Sequence, residues 1–219
     1  MSFDHNDHYH RLLLRQVPRG ARTALDVGCG TGRFARRLAS GGGTGPGLLV
    51  DAIDPSEEAV AAARAGSLGD DAAPRFRQAD VTQVELPPGH YDFVSCLASL
   101  HHMPFDTVTS LRDALAPGGV LVVLGCAPER TWVDWAWSLA AVPTNAIARL
   151  AVAAGETARG TRTAHHTAVK APVAPPTMPL NDIRHQATTL LPGSTVRRLL
   201  FWRYLLVYRN PHSPSPSAT

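Results

Sequence analysis

Residues Ala24–Ala39 read ALDVGCGTGRFARRLA, and their order decides the fold. Apolar residues lead into Asp26-Val27, glycine recurs at 28, 30 and 32, and Phe34, Ala35 and Leu38 follow at helical spacing. The pattern predicts a strand, a tight turn and a helix. Glycine serves such a turn because it accepts positive φ and presents no Cβ to a ligand approaching the backbone. In open α/β sheets, ligands bind at the carboxyl ends of the strands, where this turn lies. The stretch therefore predicts a nucleotide-like cofactor over Gly28–Gly32.

The same alternation continues in both directions. A first helix is expected over His5–Gln16, with Arg11 and Arg15 solvated, and Pro18-Arg19-Gly20 ends it. Strands are predicted at Thr23–Val27, Leu48–Ile53, Arg75–Ala79, Tyr91–Leu97 and Val120–Cys126. Helices are predicted at Gly32–Ser40, from the Ser56 N-cap to Ala65, and at Phe105–Leu115, the last broken by Pro117-Gly118-Gly119. Alternating strands and helices with short glycine or proline breaks predict a parallel sheet covered on both faces. Further on, Trp132–Ala154 reads as an apolar helix interrupted near Pro143, and Glu156–Pro179 is rich in Ala, Thr, Pro and Gly. Leu180–Leu190 reads as a helix and Thr195–Arg209 as two strands at a sheet edge, and Pro211–Thr219 has the composition of a disordered tail.

Bulk properties limit the function classes. A chain of 219 residues, 44% hydrophobic and 18% charged, suits one sizeable domain with a real core. The net charge of +3 comes mostly from dispersed arginines and is weak evidence for a nucleic-acid partner. Cys29, Cys96 and Cys126 end apolar runs and read as small buried residues in a reducing compartment. The polar start MSFDHNDHYH lacks the apolar core of a signal peptide, and the longest apolar tract, Trp135–Val142, is too short to span a bilayer. A cytoplasmic protein with no membrane partner is expected.

The glycine turn alone fits two cofactors, because Gly30–Ala35 also satisfies the G-x-G-x-x-A variant of the dinucleotide fingerprint. An NAD(P)-dependent oxidoreductase is thus one reading. Asp54 ends the second strand beside the turn, where a carboxylate accepts ribose hydroxyls; Asp51 is the competing acid, inside the strand. Asp80 ends the third strand in the phrase RQAD, placed to accept from an adenine amino group.

Taken in order, LDVGCGTG, IDPS, QAD, YDFVSCLASLHH and L-x-P-G-G-x-L resemble the class I S-adenosylmethionine-dependent methyltransferases over about Ala24–Gly125. The terminal segment PGSTVRRLLFWRYLLVYRNP resembles the reversed hairpin that closes that family's sheet. The resemblance implies a doubly wound, Rossmann-like, mostly parallel seven-stranded sheet with the last strand antiparallel. It implies one domain over residues 1–210, with an N-terminal helix or lid at 1–20 and a helical cap at 130–179. It also implies S-adenosylmethionine as cofactor and site roles by position. Asp26, Gly28, Gly30 and Gly32 would surround the methionine part. Asp54 would hold the ribose, Pro55 would flank the adenine, Asp80 and the Val81 backbone would read it, and Leu97 would border the sulfonium. The phrase N/D-P-P-Y/F of enzymes that methylate flipped-out bases is missing, so a small-molecule acceptor, methylated on O or C, is expected.

A hydroxyl or carbon acid benefits from a base, and His101 and His102 follow the fourth strand at the same edge. His5, His8, Tyr9 and His10 read as a solvated helix start or a lid. Trp132, Trp135 and Trp137 read as a pocket wall or as helix packing. The histidines lack metal-ligand spacing, so no metal is expected. A cofactor-binding protein without methyl transfer is the non-catalytic alternative.

Overall fold

The computed structural model describes residues 5–43, 47–70, 72–128, 176–200 and 202–212. Along the chain run α1 (His5–Leu14), β1 (Thr23–Val27), α2 (Arg33–Ala39), β2 (Leu49–Asp54), α3 (Glu57–Ala65), β3 (Arg75–Gln78) and β4 (Tyr91–Leu97). They are followed by α4 (Thr107–Asp113), β5 (Leu115–Cys126), α5 (Leu180–Leu190), β6 (Thr195–Arg198) and β7 (Arg203–Arg209). The strands form one seven-stranded sheet in the order β3-β2-β1-β4-β5-β7-β6. β1 through β5 pair in parallel, and β7 runs antiparallel between β5 and β6.

Alternation along each strand divides the apolar residues between two layers. Val120, Val122 and Leu124 of β5 face the layer of α1, α2 and α3, with Leu13, Phe34, Leu38 and Val60. Leu121 and Val123 face the layer of α4 and α5, with Val108, Leu111, Ile183 and Ala187. A strand buried on both faces reads as an unbroken apolar run, which is why Val120–Leu124 carries no polar residue. No helix among the described residues is long and apolar enough to cross a membrane.

Three expectations need correction. First, α4 is shorter than Phe105–Leu115, and β5 begins before the Pro117-Gly118-Gly119 break. Leu115 pairs with Tyr91, the Ala114 carbonyl accepts from His90 and Tyr91, and Gly118 N–H donates to Asn210. These bonds to distant strands draw the segment into the sheet, with a register shift between Tyr91 and Phe93. Second, Tyr9 and His10 are not solvated. Tyr9 Oη donates to the Leu200 carbonyl at 2.9 Å, and the His10 ring packs on Phe34 with both side chains buried. Third, all three thiols are free, but only Cys96 is fully buried; Cys29 and Cys126 are half-buried. The proposed cap, save residues 176–179, lies outside the described residues, as do the three tryptophans and all but the first two residues of the tail.

Candidate functional site

Parallel pairing brings the ends of β1, β2, β3, β4 and β5 to one edge of the sheet. Gly28, Asp54, Ala79-Asp80, Leu97 and Cys126 therefore share that edge, although they span a hundred residues of sequence.

The turn after β1 has Gly28, Gly30 and Gly32 all at positive φ: 67°, 53° and 75°. Two of them are required by packing. A Cβ on Gly28 would overlap the Ser99 side chain, and one on Gly32 would overlap the Phe76 ring. Gly30 differs: a Cβ there meets nothing within 4 Å. Its open side is the space available to a ligand. Its N–H donates to Asp54 Oδ2 at 2.8 Å, while Asp54 Oδ1 accepts from Ser56 N–H at 2.9 Å. Asp54 is half-buried and retains lone pairs for further donors. Asp51, the competing acid, is engaged inside the strand, where it accepts from Tyr91 Oη at 2.9 Å.

Asp26 lies beneath the turn, 2% exposed. It accepts from Ser95 Oγ at 2.7 Å and from the Ala35 N–H in the first turn of α2. Burial raises its pKa to about 7, helped by the nearby Asp54 charge and opposed by the Ser95 and Ala35 hydrogen bonds. Asp26 thus ties the turn, α2 and β4 together from below.

At the end of β3, Asp80 accepts from Thr82 N–H at 2.9 Å and Thr82 Oγ1 at 2.7 Å, and these bonds lower its pKa. The Val81 side chain is buried in the core, and its N–H donates to no group among the described residues. Pro55 is exposed at the rim and Leu97 is half-buried. Beyond Leu97, Ala98 takes a left-handed φ of 52°, an uncommon conformation for a residue with a Cβ. The reversal turns Ser99 back, so that its Oγ lies 2.8 Å from the Leu97 carbonyl and 3.2 Å from the Gly28 carbonyl. Ser99 thereby locks the β4 exit to the glycine turn.

The two histidines separate here. A 3-10 turn over Leu100–His102 sends His101 inward and leaves His102 exposed, their rings 3.9 Å apart. His101 lines a cavity of about 60 Å³ with Met103, Phe105, Cys126, Met178 and Tyr204. Burial lowers its pKa to about 4, with the His102 and Arg203 charges adding to the effect. It is a neutral imidazole throughout the physiological range.

The residues fit an adenosine-like group better than a dinucleotide. A phosphate site leaves its turn amides free for the anion. Here Gly28 and Cys29 donate to the Ile53 carbonyl, Gly32 to the Cys29 carbonyl, and Gly30 to Asp54. With Asp26 and Asp54 both against the turn, a phosphate would meet acceptors and negative charge. Hydroxyl and amino donors suit the same surface.

Ser95, Ser99 and Ala98 were not singled out by sequence reasoning. Their small side chains carry no pattern, and only the SCLAS phrase at the end of an apolar strand hints at a loop under constraint. Tyr204, a hundred residues from His101, had no local signal at all.

Comparison with known proteins agrees with this geometry. Residues 24–119 match the family model described as Methyltransferase domain. A methyltransferase of Mycobacterium bovis, itself uncharacterised, is 34% identical over 210 residues, covering 94% of this chain and 96% of that protein. A ubiquinone biosynthesis O-methyltransferase of Pseudomonas paraeruginosa is 35% identical over 101 residues, 45% of this chain and 41% of its own length. The structure of magnesium protoporphyrin IX methyltransferase from Synechocystis, with bound SAH, shares the fold at a TM-score of 0.57. That match has 21% identity and covers 93% of this chain and 80% of that one. Sheet order, edge chemistry and full-length similarity lead to one family: the chain belongs to the class I S-adenosylmethionine-dependent methyltransferases.

Proposed function

We propose that the protein methylates an oxygen or carbon of a small molecule held at the carboxyl edge of β4 and β5, using S-adenosylmethionine bound over Gly28–Gly32. The observation that carries this reading is the Asp54 carboxylate bonded to Gly30 N–H, beside the open face of Gly30. When bound, the cofactor supplies a sulfonium methyl that is already electrophilic. The chain's tasks are then to bind, orient and exclude water.

In this reading Asp54 holds the ribose hydroxyls and Pro55 flanks the adenine. Asp80 accepts from the adenine amino group, and the Val81 N–H donates to a ring nitrogen. Gly30 leaves room for the methionine part, which Asp26 supports from below, and Leu97 borders the sulfur. His101 accepts a proton from an acceptor hydroxyl. Its burial beside His102 and Arg203 keeps a nitrogen lone pair free to accept from that hydroxyl, at the cost of a weaker base. His102, exposed and with its ring tilted 39° against His101, acts through that ring and not on the acceptor. The Pseudomonas relative is named an O-methyltransferase, which favours oxygen.

Incubation with methyl-labelled S-adenosylmethionine and a fractionated metabolite extract tests the proposal. Label entering a small-molecule fraction, and lost in His101→Ala, is the expected result. No transfer to any fraction would favour a cofactor-binding protein without turnover.

A further inference from the structure

The cavity beside His101 has a wall of two kinds. Leu100, Met103, Phe105, Met178 and Ile183 make most of it apolar. His101, Cys126, Thr177 and Tyr204 interrupt that surface. The Cys126 thiol is in contact with the Arg203 guanidinium, so it is committed. Thr177 has an interaction of its own, whereas His101 and Tyr204 are not committed. Neither ring nitrogen of His101 hydrogen-bonds any group among the described residues, and Nδ1 is buried. Tyr204 is buried, and its Oη makes no hydrogen bond among the described residues.

Tyr204 is held there by the sheet. It stands opposite Gly125 in the β5–β7 ladder, and a Cβ on Gly125 would overlap its ring and hydroxyl. The missing side chain lets the ring lie across β5 with its hydroxyl near the strand's carboxyl end. His101 Nδ1 is fully buried, whereas His101 Nε2 and Tyr204 Oη are unbonded and reachable, so a ligand in the cavity can satisfy both. About 60 Å³ has room for roughly four to six groups of water size. That admits one end of a ligand, with the rest extending outward.

We infer that this cavity is the socket for the hydroxyl-bearing end of an apolar acceptor, with Tyr204 as the positioning residue that fixes the oxygen beside His101. Tyr204 Oη donates to the acceptor oxygen, and His101 takes the acceptor's O–H. Met103, Met178 and Phe105 cover the attached carbon framework. Methionine's flexible thioether side chains suit such a wall, because they adapt to different frameworks. Gly125 is the residue that keeps the socket open to Tyr204. The inference rests on the methyl-transfer reading for the word acceptor, but the socket itself is a binding property.

Phenol and toluene, nearly equal in shape, distinguish a hydroxyl socket from a greasy hole. Each is titrated into the full-length protein by ligand-observed NMR, with and without S-adenosylhomocysteine. Phenol is expected to bind about tenfold more tightly than toluene, since a site built around a hydroxyl rejects the analogue lacking it. Tyr204→Phe and His101→Phe, which keep the rings, should each shrink that ratio at least about threefold while S-adenosylhomocysteine affinity and thermal stability stay unchanged. Equal binding of the two probes, binding of neither, or a ratio that survives in both variants would overturn the socket. Failure of S-adenosylhomocysteine to bind while the phenol preference persists would instead remove the methyl-transfer reading and leave the socket standing.

Discussion

Asp54 has two duties, and they explain its position. One oxygen steadies the glycine turn through Gly30 N–H, and the other orders the entry to α3 through Ser56 N–H. In the proposed complex the remaining lone pairs receive the ribose. Asp54→Ala should therefore weaken S-adenosylhomocysteine binding by about 1–3 kcal/mol, as expected for lost charge-assisted hydrogen bonds. Asp51→Asn, altering an acid bonded to Tyr91 away from the edge, should leave that affinity unchanged by calorimetry. His101 gives a prediction in pH. With its pKa lowered to about 4, beside His102, Arg203 and Cys126, its proposed role as base predicts methyl-transfer rates that hold between pH 8 and 5.5. A fall with a midpoint near 6.5 would identify an ordinary, solvated imidazole as the base instead. Asp26 affects stability. Its folded pKa of about 7 lies above the ordinary 3.8, so the stability it contributes is full at low pH and lost as pH rises through 7. His101 has the opposite sign, and its effect falls between about 4 and 6.5. From pH 6.5 to 8 the Asp26 loss, about 0.8 kcal/mol by linkage, outweighs the last of the His101 gain, about 0.4 kcal/mol. Urea midpoints should fall slightly over that range in the wild type and rise slightly in Asp26→Asn.

At the scale of elements, the glycine turn separates folding from binding. Gly28→Ala places a Cβ against Ser99 at a positive φ and should cost about 1–3 kcal/mol of stability by thermal melting. Gly30→Ala meets no protein atom and carries only its backbone strain, roughly 1–2 kcal/mol. Its added methyl fills the space kept for the ligand, so its larger effect should be on S-adenosylhomocysteine affinity. Elements governed by local pattern were legible in the sequence. Thr23–Val27, Tyr91–Leu97 and Leu180–Leu190 were found with their observed bounds, and the reversed hairpin was anticipated. Elements decided by distant partners were not. Leu115 belongs to β5 because Tyr91 pairs with it. Likewise, Tyr9 and His10 are buried because Leu200 and Phe34 are there to receive them. The site shows the same division. Its acids and glycines stand at strand ends and can be read in order, whereas His101 and His102 look alike in sequence and only a 3-10 turn tells them apart.

For the whole molecule, the reversed strand matters most. β7 covers the outer side of β5 along its length, pairing from Val120–Arg209 to Cys126–Arg203. It also brings Arg203 and Tyr204 to the same edge as the glycine turn. A chain ending at Gly193 would lose β6 and β7 and leave the Val120–Leu124 strand edge open, a template for aggregation. Such a truncation should be insoluble or oligomeric by gel filtration, where the full chain elutes as a discrete folded species. Fold and site are thus coupled: the hairpin that completes the sheet also completes the cavity wall at the carboxyl edge.

The central claim, an S-adenosylmethionine site over Gly28–Gly32, is tested most directly by calorimetric titration of the full chain with S-adenosylhomocysteine and, separately, NADH. The account predicts saturable binding of S-adenosylhomocysteine that weakens in Asp54→Ala, and no response to NADH. Saturable NADH binding with no heat from S-adenosylhomocysteine would contradict it.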